Sequence, residues 1–210
     1  VLVNDGSPDD SLERALRLAE SDAHVTVVDL SRNFGHHKAM MTGLAHAGGE
    51  RVFLIDSDLE EEPECLLAFA ERMASEPCDV VYGVQEKRKG SWLERWSGLW
   101  FYRLFKAFTG LSLPENLVTA RLMTRRYVDA LLSHKEREVF MAGLWHITGF
   151  AQRSQVVTKH NSSKSTYTFA RKMALLVNSV TSFSNAPLVG IFYIGAAISV
   201  VALLSIAYLV

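Results

Sequence analysis

The 210 residues are enough for one good-sized core and leave little room beyond a single domain with appendages. A formal net charge of -1 argues against a nucleic-acid binder, which would carry a basic excess over one face. The two cysteines, Cys65 and Cys78, have neither the paired spacing of a zinc site nor that of a disulfide framework, and they read as thiols of a reducing compartment.

Val1 to Asp5 is a short apolar run closing in Asp5-Gly6-Ser7, the end of a strand and its turn. The opening carries no secretory signal, and the chain is expected to begin inside its fold, after a first strand. Leu12, Ala15, Leu16 and Ala19 then recur at helical spacing behind Pro8. His24 to Leu30 alternates and is rich in valine, as a strand does, and His36 to Ala47 suits a helix stopped by Gly48-Gly49. Arg51 to Asp56 reads as a third strand, Pro63 as the first residue of a helix running to Ala74, and Asp79 to Val84 as a fourth strand. This alternation predicts an α/β fold with a mostly parallel sheet and helices on both faces.

From Ser91 the texture changes. Trp92, Trp96, Leu99, Trp100, Leu104, Phe105 and Phe108 mark one helical face and Arg95, Arg103 and Lys106 the others, which fits a core-facing amphipathic helix as well as one lying in a membrane interface; tryptophan among basic residues, with a long apolar stretch later in the chain, favours the interface. The cluster Lys87-Arg88-Lys89 before it suits anionic headgroups. Arg121 to Ser133 and Glu138 to Ile147 read as helical, Gln155 to Lys159 as a strand, and Tyr167 to Phe183 as a second amphipathic helix. Nothing charged follows Lys172, and Pro187 to Val210 is almost wholly apolar, matching the ~20 residues a membrane-spanning helix needs. Arg171 and Lys172 place the preceding domain on the cytoplasmic side by the positive-inside rule. The expected organisation is a cytosolic domain over 1–160, a juxtamembrane segment over 161–185 and a transmembrane helix over 186–210.

In an open parallel sheet, ligands bind beyond the carboxyl ends of the strands. Three such ends carry polar clusters: Asn4-Asp5-Gly6-Ser7, then Ser31-Arg32-Asn33-Phe34-Gly35-His36, then Asp56-Ser57-Asp58. Residues two apart in an extended segment point the same way, so Asp56 and Asp58 can present both carboxylates to one cation. Such hard oxygen ligands suit Mg2+ or Mn2+, which would bridge a diphosphate. An Asp-x-Asp pair alone is common in solvated loops, so its position at a strand end carries the argument.

Those three strings in that order, the third extended as Leu54-Ile55-Asp56-Ser57-Asp58-Leu59-Glu60, resemble the family 2 glycosyltransferases, in the polyprenyl-phosphate (dolichyl-phosphate mannose synthase-like) branch. The resemblance runs on through Arg121-Leu122-Met123, Gly149-Phe150, Ser165-Thr166-Tyr167 and Thr181-Ser182-Phe183-Ser184. It implies a GT-A-type, Rossmann-like fold over the cytosolic domain and inverting transfer of a sugar from a nucleotide-diphospho-sugar to a polyprenyl phosphate. Asp5 would contact the nucleoside, Arg32 and Asn33 would lie near the donor, and Asp56 and Asp58 would hold the metal. Arg121, Lys164, Ser165, Tyr167 and Arg171 would surround the lipid phosphate, with Asp58 and Arg121 acting in catalysis.

Two positions depart from the branch. Its metal motif commonly continues Leu-Gln, and here Glu60 replaces the Gln as a further candidate ligand. The loop before Arg121 commonly holds a Gly-Asp or Gly-Ser pair, whereas Val118-Thr119-Ala120 stands here, so no acidic general base is offered. A phosphate acceptor tolerates that loss, because its second pKa near ~6 makes it an anionic nucleophile at neutral pH.

Two other readings share these residues. A processive polysaccharide synthase would resemble its class in a Gln-x-x-Arg-Trp motif, but Trp92 stands three residues before Arg95-Trp96. A catalytically silent, membrane-tethered nucleotide-binding protein would not need Asp56 and Asp58. His36 and His37 can touch phosphate or form a plain surface pair, and no histidine has zinc-ligand spacing. Met40, Met41 and Met123 read as core filler, and a homo-oligomer is compatible with the sequence.

Overall fold

A computed structural model describes residues 1–85, 100, 103–110, 116–135, 140–158, 173, 177–178 and 180–209. The chain divides into two compact units, Val1–Lys89 with Pro114–Ser165, and Gly90–Leu113 with Thr166–Val210.

In the first unit, strand β1 (Leu2–Asn4) pairs in parallel with β2 (Val27–Asp29), with Leu2 opposite Val27 and Asn4 opposite Asp29. Helix α1 (Ser11–Ser21) connects them. It opens where Asp9 accepts the Ser11 amide at 3.1 Å, and the pairs Arg14–Asp10 and Arg17–Glu13 brace its solvent face at helical spacing. Helix α2 (His36–His46) follows β2 and ends ahead of Gly48-Gly49, as its sequence predicts. Arg125 donates to the carbonyls of Ala47 and Gly49 there, satisfying groups a helix end leaves unpaired.

A second sheet runs β3 (Arg51–Leu54), β5 (Leu117–Thr124), β4 (Val80–Gln85), β6 (Gln152–Val157) in space. Helix α3 (Cys65–Ser75) lies between β3 and β4 in the chain, while α4 (Arg125–Leu132) and α5 (Met141–Ile147) follow β5. The sheet is mixed, not mostly parallel: β5 runs antiparallel to both neighbours, and only β4 and β6 run in parallel. This overturns two expectations with one cause. Arg121-Leu122-Met123 lies on a strand, and the helix expected from Arg121 begins at Arg125. β5 alternates apolar and polar residues only from Val118 to Leu122, and its end from Arg121 runs straight into the helix at Arg125, so the two read as one helical stretch. The last strand also starts three residues earlier than the expected Gln155, at Gln152.

One face of this sheet carries the core. Val118, Ala120 and Leu122 of β5 pack with Val81, Val157 and the α3 residues Phe69 and Met73, with Phe53 edge-on to Phe69. Met40 and Met123 are buried, as core filler should be, whereas Met41 is only half-buried. By strand alternation Arg121 and Met123 face the other way, toward Tyr127 of α4 and Trp145 of α5, where the Tyr127 hydroxyl donates to the Trp145 carbonyl at 3.1 Å. Helices therefore cover both faces. Asp79, at the foot of β4, is buried and accepts from both Arg126 and Thr124, tying β4 to the start of α4.

In the second unit, residues 103–109 are helical and the Phe105 ring stands edge-on to Phe183. Most of both expected amphipathic helices, including Trp92, Trp96 and Tyr167, lies outside the described residues. Helix α6 (Ala186–Leu209) has 24 residues, mean hydropathy 2.4, and none of its apolar stretch buried, which makes it a candidate membrane span.

Candidate functional site

β1 and β2 are parallel neighbours, so their carboxyl ends share one edge. Asn4 and Asp29 meet there, with the Asn4 side-chain amide donating at 2.8 Å. One residue on, Asp5 spreads its carboxylate over the loop that follows β2: one oxygen accepts the Phe34 amide at 2.7 Å and the other the Gly35 amide at 2.9 Å. The approach is tight. Gly6 has φ +69, and a Cβ there would stand 2.8 Å from the Asn33 nitrogen, so only glycine fits this crossing. Arg32 lies over the Phe34 ring at 4.3 Å, a cation–π contact that presents guanidinium and ring as one surface.

The ordered loop feeds directly into α2, whose N-terminus carries the partial positive charge of its unpaired amides. His36, its first residue, places Nε2 3.4 Å from an Asp56 carboxylate oxygen at the end of β3. The polar strings after β1, β2 and β3 are thus linked in sequence: Asp5 holds residues 34 and 35, and residue 36 meets Asp56. Asp58 closes its own turn, accepting the Glu60 amide at 2.9 Å.

Among the described residues no three His, Cys, Asp or Glu side chains gather as a ready-made metal cage. Glu60, expected as a third ligand beside Asp56 and Asp58, is buried instead, at 9% exposure. Two accessible carboxylates nevertheless fit a hard divalent ion that draws its remaining ligands from water and substrate phosphates, as Mg2+ and Mn2+ commonly do.

Arg121, expected beside an acceptor phosphate, is 1% exposed. Its backbone is paired between Leu54 of β3 and Tyr82 of β4, so its side chain enters the packed layer and not the solvent. There the guanidinium stacks on the Trp145 ring and donates to the carbonyls of Thr119 and Val118 at 3.3 and 3.4 Å. Burial pulls its pKa down to about 9, against the opposing pull of Tyr127, Tyr82 and Glu61, so it stays cationic at neutral pH. Tyr127 beside it is pushed up to about 12, again chiefly by burial, and is a neutral phenol. Lys164, Ser165, Tyr167 and Arg171 lie outside the described residues.

Sequence reasoning missed three neighbours of this site. Glu61, 2% exposed, accepts the Ala120 amide at 3.2 Å, and Trp145 and Tyr82 enclose Arg121. Only the strand register brings these together. His36 closes the second polar string of the sequence, and the structure adds its contact with Asp56.

The profile of glycosyl transferase family 2 matches residues 1–132. A glycosyltransferase of Mycobacterium tuberculosis is 52% identical over 210 residues, which cover 100% of this chain and 61% of that protein. The chain therefore spans about three fifths of the length of that relative. Among solved structures, glucosyl-3-phosphoglycerate synthase from M. tuberculosis with Mn2+ and UDP-glucose matches with TM-score 0.57 at 16% identity, over 87% of this chain and 67% of that one. The mannosyltransferase PcManGT from Pyrobaculum calidifontis, with GDP-Man and Mn2+, matches with TM-score 0.51 at 17% identity, over 94% of this chain and 70% of that one. At such identities the likeness is one of fold, an α/β GT-A-like architecture.

Proposed function

The chain belongs to glycosyl transferase family 2, and from that premise we propose that it binds a nucleotide-diphospho-sugar and a divalent metal and transfers the sugar, with inversion, to a polyprenyl phosphate at a membrane surface. The observation that carries the donor side is the linked edge. Asp5 orders the loop at Phe34 and Gly35, and His36 then meets Asp56, so acidic and polar groups from three strand ends converge where this fold class takes its ligands. Two neighbours of the same fold bind UDP-glucose or GDP-Man together with Mn2+, which accords with a nucleotide-sugar donor here.

In this reading Asp56 and Asp58 hold the metal, Arg32 and Asn33 line the donor, and Asp5 acts both through the loop and on the nucleoside. The bound metal would offset the negative charge that gathers on the departing nucleoside diphosphate. An acceptor phosphate oxygen forms the new bond at the anomeric carbon as the bond to the diphosphate breaks, and the electron pair leaves with the diphosphate. No proton has to be removed from a phosphate already ionised, which suits a chain with Val118-Thr119-Ala120 where an acidic base would stand. Lys164, Ser165, Tyr167 and Arg171 would bind that phosphate. Arg121 adds its charge from within the protein, not by contact.

The lipid acceptor is supported by α6, which would anchor the domain to a bilayer, on the cytoplasmic side as Arg171 and Lys172 suggest. The test is full-length protein in detergent, given UDP- and GDP-sugars with a polyprenyl phosphate, with and without chelator. Release of nucleoside diphosphate that depends on the lipid, stops on chelation and is lost in a folded Asp58→Asn variant is the expected result. Turnover that survives chelation defeats the metal role, and transfer to a soluble acceptor alone defeats the lipid role.

A further inference from the structure

Glu61 is a buried carboxylate that the mechanism above does not use. It stands three residues beyond Asp58, and its Oε2 accepts the Ala120 amide of β5 at 3.2 Å. The reason that amide needs a side-chain partner is visible in the register. The β3–β5 ladder ends at Leu54 opposite Arg121, and the β4–β5 ladder shifts between Tyr82 and Val84. Ala120, with no exposed surface, lies beyond one ladder and within the irregularity of the other. A buried N–H in that position must find an acceptor from elsewhere, and Glu61 supplies it.

A second observation concerns the turn between the two acids. Leu59 has φ +56, in the left-handed region that an L-residue with a branched side chain avoids, and it is 69% exposed, so its own packing does not hold it there. Such a conformation persists when both ends are fixed from outside. Asp58 fixes one end by accepting the Glu60 amide, and Glu61 fixes the other on β5.

We infer that Glu61 is a positioning residue for the donor site, a latch that fastens the Asp56–Asp58 turn to Ala120 of β5 and so sets the geometry in which that pair meets a divalent ion. This rests on the metal reading of the turn. The latch works by reach and acceptance: an oxygen must arrive at Ala120, whatever its charge. The carboxylate also lies in the field of the buried Arg121, which makes its burial tolerable.

Three full-length variants separate the requirements. Glu61→Gln keeps the length and an accepting oxygen without the charge; Glu61→Asp keeps the charge and falls short by one methylene; Glu61→Ala removes both. Two measurements apply: amide hydrogen exchange over residues 117–124 in protein free of metal and donor, and Mn2+ affinity in the presence of UDP or GDP. In Glu61→Ala and Glu61→Asp, exchange over this strand should quicken and the Mn2+ concentration for half saturation should rise on the order of tenfold, the scale of one hydrogen bond. Glu61→Gln should stay within about threefold of wild type in both. Should Glu61→Ala fail to fold, the contrast between Gln and Asp carries the test. A merely structural role would lower thermal stability and leave the Mn2+ dependence of the folded protein unmoved, which overturns the inference; so does an Asp variant that matches wild type while Gln is impaired. A wild-type protein that takes no Mn2+ while its strand stays protected defeats the metal reading, and the positioning role with it, whereas Mn2+ binding that no Glu61 variant alters defeats the latch alone.

Discussion

Replacing Asp5 by Asn keeps the shape of the side chain and removes one acceptor and the charge. The carboxylate receives two backbone amides, from Phe34 at 2.7 Å and from Gly35 at 2.9 Å. An amide side chain has a single accepting oxygen, so one of those N–H groups is left facing an NH2. A hydrogen bond to a charged group contributes about 1.5–3 kcal/mol, and the low end applies because the Phe34 bond is open to water. A loss of about 1.5 kcal/mol is roughly tenfold in any equilibrium that requires the ordered loop. Asp5→Asn should therefore speed amide exchange over residues 31–35 about tenfold in donor-free protein, and weaken UDP- or GDP-sugar binding by a similar factor. Hydrogen exchange read by mass spectrometry, alongside donor titration, checks both. Exchange at the wild-type rate would refute the clamp, and if donor binding still weakened, Asp5 would act on the nucleoside directly and not through the loop.

Gly6→Ala tests the same crossing from the backbone. With φ +69 and a new Cβ 2.8 Å from the Asn33 nitrogen, it should destabilise the unit by about 2 kcal/mol, seen as a lowered thermal midpoint. The buried Asp79 carboxyl is held below the usual carboxylate range first by Arg126 and then by Thr124. Since its folded pKa lies below the unfolded value of about 3.9, its contribution is present above that pH and fades as pH falls through the folded pKa. Asp79→Ala should lower stability at neutral pH by about 1–2 kcal/mol, because Arg126 is itself exposed, and the gap to wild type should narrow below about pH 4 in urea titrations. A gap that widens on acidification would count against the sign of this coupling.

The first half of the chain was legible because its elements announce their own ends. The strand before Asp5-Gly6-Ser7 and the helix stopped by Gly48-Gly49 each carry a local signal, and the structure places them where that signal lies, while the acidic pair expected on extended chain falls in the turn after β3, which ends at Leu54. Arg121-Leu122-Met123 carries none. Buried on both faces in the middle of the sheet, its strand alternates only briefly, from Val118 to Leu122, before Leu122-Met123 breaks the pattern, and the helix start at Arg125 leaves the run from Arg121 looking helical. Misreading that strand cost more than a boundary. It left the sheet reading as mostly parallel, gave no reason to doubt the place beside a phosphate that the family resemblance implies for Arg121, and hid Glu61 and Trp145, whose relation to the site exists only through the register of β5.

What the sequence left unread gathers in one place. A leucine in a left-handed conformation, a carboxylate at 2% exposure and an arginine at 1% each break a local rule, and they do so within one turn and the strand beside it. Natural chains tend to tolerate such violations where function needs a geometry that packing alone would not select. The clamp at Asp5 follows the opposite pattern, using an ordinary strand end and glycines that suit their turns. The edge near β1 and β2 is thus assembled from locally consistent parts, whereas the acidic turn beyond β3 is held against its own preferences by β5. A metal pair fixed in that way would be sensitive to substitutions that never touch the metal, and that sensitivity distinguishes a turn shaped for binding from an acidic loop that merely faces water.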